Sequence, residues 1–347
     1  MKTFEDGYFV PARFLKGVET FSKNAEKTDK APLHVAYNVN DGYFQIMGAS
    51  LVSVLENNAH RAVMFHIFTD GYSKENAQKM EQLADRYGCV IKLYTLHMEP
   101  FADFHVKVER FSRITYGRIV MPLILAAETD HFLYLDADTM VIRPLDELYH
   151  WDLTGKAMGA VSERMPDAKR RGDYLHLNNG RYFNDGVMMV NIPEWQKQNI
   201  TEKAFSLQKE PKERFLGQSQ DILNIVFDGT NAFLPSIYNE FGGGEDDPQQ
   251  KGTIIHWTGR RKPWQLVLSD YDAQWRSYNA ASPWETLTAI LPILKPENYH
   301  DFKEWAKYRR KESFRDYVKG MAYYAILKGR FLISRRSEEH TSELQSH

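Results

Sequence analysis

"FLYLDADTMVIRPL", residues 132–145, decides how this chain is read. Phe132 to Leu135 are apolar enough for an interior strand, yet that strand ends in two acids, Asp136 and Asp138, with only Ala137 between them. In an extended segment alternate side chains share a side, so both carboxylates point the same way. Carboxylates held that close raise one another's pKa unless a cation or a proton lies between them. A divalent cation would meet both. Oxygen ligands suit Mg²⁺ and Mn²⁺, and an added imidazole shifts the preference toward Mn²⁺ or its neighbours. His256, ending the strand-like "GTIIH" (252–256), supplies such an imidazole. "WTGRRKPW" follows it, with Gly259, Arg260, Arg261 and Lys262, and a metal with basic groups beside it fits a diphosphate leaving group. Taken singly, these residues have plainer readings: the acids as a helix cap or partners of Arg143, His256 as a satisfied core histidine, Lys262 as a surface lysine. Their joint placement at strand ends favours the chemical one.

Outward from this stretch, strand and helix patterns alternate. "LHVAYNV" (33–39), "AVMFHIFTD" (62–70) and "CVIKLYTL" (89–96) read as strands. Residues 45–57 place Met47, Leu51, Val54 and Leu55 at helical spacing. Residues 73–88 predict an amphipathic helix with Ser73 as N-cap and Gly88 at its end. Residues 114–128 read as a buried helix that Pro122 kinks or breaks. This order implies an α/β fold, a mostly parallel sheet with helices on both faces. Ligands bind such sheets beyond the carboxyl ends of the strands. "NVNDGY" (38–43), "TDGY" (69–72) and the acid pair therefore line one expected crevice. After residue 150 the alternation loosens. Residues 159–163, 186–192 and 252–257 read as strands and 219–229 as a short helix, while the polar, glycine-punctuated stretch 163–183 reads as a binding loop or lid.

Of the 347 residues, 43% are hydrophobic and 26% charged, which suffices for one large domain with an appendage. The formal net charge of −2 offers no footprint for nucleic acid. Cys89 is the only cysteine, so an intramolecular disulfide and a cysteine zinc site are excluded; it reads as core packing, in a reducing, cytoplasmic compartment. The organisation read from the sequence is a leader over 1–32, the main domain over 33–290, a basic aromatic helical region over 291–336, and a polar, disordered or non-native tail over 337–347. Neither an apolar signal core nor a run of about 18 apolar residues is visible. Residues 295–336 hold twelve Lys/Arg against five Asp/Glu, with aromatics recurring every three or four residues. That pattern suits peripheral contact with the anionic inner face of the cell membrane, or equally a helical pair packed on the core.

In order along the chain, "HVAYNVNDGYF", "SRITYGRIVMP", "FLYLDADTMVIRPLDELY", "YFNDGVMMVNIPEW", "GQSQDILN" and "HWTGRRKPW" resemble glycosyltransferase family 8, the bacterial galactosyl- and glucosyltransferases related to glycogenin. The resemblance covers roughly residues 33–270. It implies a GT-A fold with a Rossmann-like sheet, a UDP-sugar donor, Mn²⁺ (or Mg²⁺), a glycan, lipid-linked or glycoprotein acceptor, and retention at the anomeric carbon. By position it implies Asp136, Asp138 and His256 as metal ligands, and Asn38, Val39, Asn40, Asp41 and Tyr43 as the uridine pocket. It implies Arg118, Asp136, Ala137, Gly259 and Lys262 along the donor, Asn184, Asp185, Ser219 and Gln220 around the sugar, and Gln220 with Asp138 in the catalytic step. Retention then follows a front-face route, in which a phosphate oxygen of the donor takes the acceptor's proton and the Gln220 carbonyl faces the developing charge. Retaining glycosidases instead use two carboxylates about 5–5.5 Å apart.

Two departures stand out. Asn40 replaces a frequent Asp, and its amide can still accept from a uracil N–H. Ser219 replaces the acid that often precedes the Gln, and Asp185, following Asn184, is the expected compensation. Two rivals remain at this point. A haloacid-dehalogenase-type phosphatase would use "DADT" and "GEDD" (244–247), although that signature normally opens its domain. A nucleotide-sugar-binding, membrane-associated protein without turnover would account for Ser219.

Overall fold

The computed structural model describes residues 4–22, 31–106, 112–178, 180–211, 214–242, 252–259, 261–287 and 292–345, with side chains to residue 334. In chain order its strands are β1 (Leu15–Phe21), β2 (Leu33–Asn38), β3 (Val63–Thr69), β4 (Val90–Leu96), β5 (His131–Leu135), β6 (Thr139–Val141), β7 (Met158–Ser162), β8 (Phe183–Asn191), β9 (Ala232–Phe233), β10 (Glu240–Phe241) and β11 (Ile254–His256). The α-helices are α1 (Pro11–Phe14), α2 (Phe44–Asn57), α3 (Lys74–Tyr87), α4 (Met121–Leu125), α5 (Asp146–Tyr149), α6 (Asp167–Leu175), α7 (Ile192–Lys197), α8 (Ile200–Ser206), α9 (Ser219–Val226), α10 (Asp270–Ala281), α11 (Tyr299–Arg309) and α12 (Phe314–Gln345).

One eight-stranded sheet has the order β1-β4-β3-β2-β5-β8-β7-β9. Its centre, β4-β3-β2-β5, is parallel as the alternation requires. The looser second half returns antiparallel: β8 pairs in that sense with both β5 and β7. Side chains alternate across the sheet. Tyr37 of β2 hydrogen-bonds Ser50 of α2 on one face (2.9 Å), while Ala36, Phe132 and Tyr134 join Trp195, Phe205 and Phe227 in the core of the other. Each fully buried Phe or Met there contributes about 1.5–3 kcal/mol of transfer free energy.

The local signals act as expected. Ser73 caps α3 by accepting from the Asn76 N–H (3.2 Å), and Gly88 closes that helix at φ 63°. Pro122 breaks the predicted helix 114–128 into a 3₁₀ turn, Arg113–Ile119, and α4. Cys89 is buried, and burial pushes its thiol up to about 12. Two stretches hold more structure than expected. Within 1–32, Phe14 is fully buried and β1 pairs antiparallel with β4. Within 163–183, residues 167–175 form α6, which Arg171 ties to Asp221 of α9 (2.5 Å). "GEDD" (244–247) and Arg260 lie outside the described residues.

The chain divides into two compact units. The first comprises residues 1–240, 251–256 and 281–285, and the second residues 241–250, 257–280 and 286–347. In the second, the Trp257 indole donates to Asp272 (2.9 Å), and α11 and α12 pack through Phe302 on Tyr323 and Tyr299 on Phe331. Gly320 permits that approach, since a Cβ there would stand 2.6 Å from the Ala306 Cβ.

Candidate functional site

Two strand pairings build the site within the first unit. β6 follows the acid pair directly, and β11 pairs with it antiparallel, His256 opposite Thr139. β8 pairs with β5, Val187 opposite Leu135, and the Asp136 N–H donates to the Gly186 carbonyl (2.8 Å). The first pairing brings an imidazole to the two acids. The second lays Asn184, Asp185 and Gly186 alongside them.

His256 Nε2 lies 3.2 Å from Asp138 Oδ1 and 3.9 Å from Asp136 Oδ2. One ligand atom from each of Asp136, Asp138 and His256 lies within 4.8 Å of the others. A Cβ at position 186 would stand 2.3 Å from His256 Cε1 and 2.7 Å from Asp136 Oδ2, so only a glycine there lets both side chains pack against the strand. Two carboxylate oxygens and one imidazole nitrogen fit a divalent cation, Mn²⁺ before Mg²⁺ because of the nitrogen.

Arg118 organises the acids from behind. It is 5% exposed and stacks 4.5 Å from the Tyr134 ring. Its guanidinium donates to Asp136 Oδ1 (2.9 Å) and Asp185 Oδ2 (2.8 Å), and to the carbonyls of Asp185 (2.7 Å) and Thr115 (3.1 Å). The Tyr134 hydroxyl donates to the same Asp136 Oδ1 (2.6 Å). That oxygen is therefore satisfied by protein, while Oδ2 turns toward His256. Burial alone would lower the Arg118 pKa, but Asp136 and Asp185 beside it raise it above the ordinary value.

Asp185 is 5% exposed, and burial pushes its carboxyl up to about 6 against the opposing pull of Arg118. The Ser219 hydroxyl donates to Asp185 Oδ2 (2.8 Å). The serine that departs from the family pattern thus touches the acid that the sequence offered in exchange. Gln218, at φ 55° and ψ −124°, turns the chain into α9 and sets Ser219 and Gln220 on its first turn. Gln220 Oε1 accepts weakly from Asn184 Nδ2 (3.3 Å) and the Asp185 N–H (3.4 Å).

The expected uridine segment follows β2. Val39 is buried and its N–H donates to the Phe68 carbonyl (2.9 Å). Asn38 donates to the Ile114 carbonyl, and among the described residues its buried Oδ1 has no donor. Burial would raise the Asp41 carboxyl, but hydrogen bonds from Asn76 and Ser73 hold it below its ordinary value, so this carboxylate is spent on fastening its turn to α3. Asn40 is half-buried, Tyr43 is 39% exposed, and Ala137 is buried between the acids. Gly259 and Lys262, three and six residues beyond His256, belong to the second unit, where Lys262 donates to the Trp257 carbonyl and lies 5.6 Å from the Trp264 ring.

Two residues at this site were not singled out in the sequence. Glu163, just beyond β7, accepts from Asn184 Nδ2 (2.9 Å) and Gln220 Nε2 (3.4 Å). Asn239 Oδ1 lies 3.0 Å from His256 Nδ1, and its Nδ2 donates to Asn184 Oδ1 (2.9 Å). For Glu163 the signal was available, since it too is an acid at a strand end. Asn239 lies in irregular chain with no motif around it.

Comparison with known proteins agrees with this geometry. Residues 34–267 match the family described as "Glycosyl transferase family 8". The chain is 30% identical over 340 residues to a lipopolysaccharide 1,2-glucosyltransferase of Escherichia coli, covering 90% of this chain and 96% of that protein. It is 28% identical to a lipopolysaccharide 1,3-galactosyltransferase of Salmonella typhimurium, covering 86% and 91%. Among solved structures, the galactosyltransferase LgtC in complex with donor and acceptor sugar analogs superposes with a TM-score of 0.64 at 22% identity, over 73% of this chain and 97% of that one. The fold is the GT-A fold of these glycosyltransferases.

Proposed function

The chain belongs to glycosyl transferase family 8, and from that membership we propose that it moves a hexose, galactose or glucose, from a UDP-sugar to a hydroxyl of a lipid-linked envelope glycan, with retention at the anomeric carbon. The observation that carries this reading is the convergence of Asp136, Asp138 and His256, which the absence of a side chain at Gly186 permits. The relatives named for lipopolysaccharide transfer support the acceptor class.

Asp136, Asp138 and His256 would hold Mn²⁺, or Mg²⁺ in its place, and the ion would supply positive charge to the departing diphosphate. The remaining work falls to the chain itself. Arg118 and Tyr134 fix one oxygen of Asp136, so the other cannot rotate away from His256. Asn38 offers a buried acceptor for the base. The acceptor oxygen forms its bond to the anomeric carbon from the face that the donor phosphate leaves. The bond pair departs with UDP, and a phosphate oxygen takes the acceptor's proton. The Gln220 carbonyl faces the positive charge that develops on the sugar, while Asp185, aligned by Ser219, receives a hexose hydroxyl.

The second unit suggests where this happens. No described helix is long and apolar enough to cross a membrane. The face of α12 turned away from α11 nevertheless exposes Phe314 (72%), Val318 (50%), Ile326 (53%), Leu332 (51%) and Ile333 (70%) at helical spacing. Exposed Arg315, Lys319, Lys328 and Arg330 flank that stripe. An apolar stripe with cationic borders suits an anionic membrane surface, and we place the enzyme at the cytoplasmic face. Co-sedimentation with phosphatidylglycerol vesicles but not with phosphatidylcholine, lost on Phe314→Ser with Ile333→Ser, is the expected result; equal recovery with both lipids would contradict it.

The function itself is tested by incubating the protein with Mn²⁺ and a panel of UDP-sugars and reading UDP release. Release with UDP-galactose or UDP-glucose supports the proposal. Binding of a UDP-sugar without hydrolysis or transfer would favour a non-catalytic role, and hydrolysis of p-nitrophenyl phosphate without any nucleotide would favour a phosphatase.

A further inference from the structure

The contacts that link Gly186, Asn184, Asn239 and the imidazole can each be assigned a direction, beginning from a group that leaves no choice. The Gly186 N–H can only donate, and it donates to Asn184 Oδ1 (3.0 Å). The other end of that amide agrees, because Asn184 Nδ2 faces the Glu163 carboxylate (2.9 Å), which accepts. Asn184 Oδ1 also receives a bond from Asn239 (2.9 Å), which must therefore present its Nδ2 there. Asn239 Oδ1 is then the atom facing His256 Nδ1 (3.0 Å), and the proton of that contact belongs to the imidazole. With Nδ1–H so committed, Nε2 is the nitrogen turned to Asp138 Oδ1 (3.2 Å) and Asp136 Oδ2 (3.9 Å).

We infer that Asn239 is the positioning residue of the cation site: it fixes the His256 tautomer and ring orientation so that Nε2 is the ligand atom. Asn239 is 2% exposed and His256 3%, so water does not replace the contact. A hydrogen-bonded partner on the distal nitrogen orients a ligating imidazole and raises its basicity. The same amide joins two parts of the site. One side of Asn239 holds the metal ligand, and the other holds Asn184, which is bonded to both Glu163 and Gln220. Displacing Asn239 therefore loosens the imidazole and the sugar-side amides together.

The inference rests on the cation site of the proposed function, and two variants separate the claims. Asn239→Asp keeps an acceptor for Nδ1–H but cannot donate to Asn184. Asn239→Leu removes both bonds. Mn²⁺ affinity is read by electron paramagnetic resonance titration in the presence of UDP, with circular dichroism confirming the fold. Asn239→Leu is expected to weaken Mn²⁺ binding about 10–100-fold, and Asn239→Asp to stay within a few-fold of the unaltered protein. The KM for the donor sugar should rise in both. Equal affinity in all three proteins overturns the inference. So does a matched loss in both variants, since Asn239 would then act through Asn184 alone. Should Asn239→Leu not fold, Asn239→Ala, which also removes both bonds, takes its place with the same expected and overturning results. Failure of the unaltered protein to bind Mn²⁺ instead removes the cation site itself, which is a separate result.

Discussion

Among the described residues, the first unit contains two buried histidine systems, and they end differently. His34 and His66, on β2 and β3, share a hydrogen bond (2.8 Å). His66 Nδ1 meets the Tyr94 hydroxyl (2.9 Å), which donates to Glu128 (2.7 Å), and Lys92 closes the chain on the second Glu128 oxygen (2.6 Å). Because the phenol donates to the carboxylate, each bond runs the same way, and both imidazoles stay neutral with their shared contact satisfied. His256 differs: an amide holds one nitrogen and two carboxylates face the other. Burial is nearly the same in the two systems, so burial does not mark function. The difference is whether the chain of donors ends on a partner or converges on a space bounded by acceptors.

Removing one of the converging acids should separate the two systems most sharply. Asp138→Ala is expected to lower Mn²⁺-dependent transfer and donor hydrolysis together by about 10³-fold, as loss of transition-state charge stabilisation commonly does. Thermal unfolding should shift little. Persistence of normal metal-dependent transfer in this variant would contradict the assignment.

The closed system should show itself in acid. Burial, with His131 and Lys92 adding to it and Glu128 opposing, pushes His34 down to about 4 from 6.5. Burial, then His34 and Lys92, hold His66 well below its ordinary value. A depressed histidine pKa means the native state binds fewer protons than the unfolded one between these values. Stability is then complete above about pH 6.5 and falls as the pH drops toward about 4, by roughly 3 kcal/mol for His34 alone. Urea midpoints across that range should fall steeply, and less steeply in His34→Gln. Parallel pH dependence in the two proteins would show that His34 does not carry the acid sensitivity.

The smallest expected effect concerns the exchanged acid. Asp185→Ala should raise the donor KM or lower kcat about tenfold, the cost of one charged hydrogen bond, and Ser219→Asp on that background should restore part of it. Unchanged turnover of every donor sugar in Asp185→Ala would show that the acid has no role in sugar binding.

Much of this architecture was legible because apolar periodicity is a consequence of burial. β2, β3, β4 and β5 each bury most of their residues, and their runs stand out. β1 did not stand out because five consecutive residues at its centre are exposed, which leaves no alternation to detect. α6 was hidden in a stretch of charges, because its anchor is an ion pair between Arg171 and Asp221 and not an apolar stripe. The site follows the same rule. Asp136, Asp138 and His256 were readable since each ends an apolar run. The task of Arg118 in bracing Asp136 and Asp185 was not, since an arginine that serves two acids distant in sequence looks like any helix-surface arginine until the strands pair. Asn239 was invisible for the same reason.

Asp136, Asp138 and His256 converge on one point because Gly186 has no Cβ to hold His256 and Asp136 off the strand. Titration of Mn²⁺, followed by electron paramagnetic resonance, into the unaltered protein and Gly186→Ala with UDP present decides whether that convergence binds a cation. Saturable binding at a single site is expected in the first, abolished in the second while its circular dichroism spectrum is unchanged. Absence of binding in the unaltered protein, or equal binding in both, would contradict a cation site there.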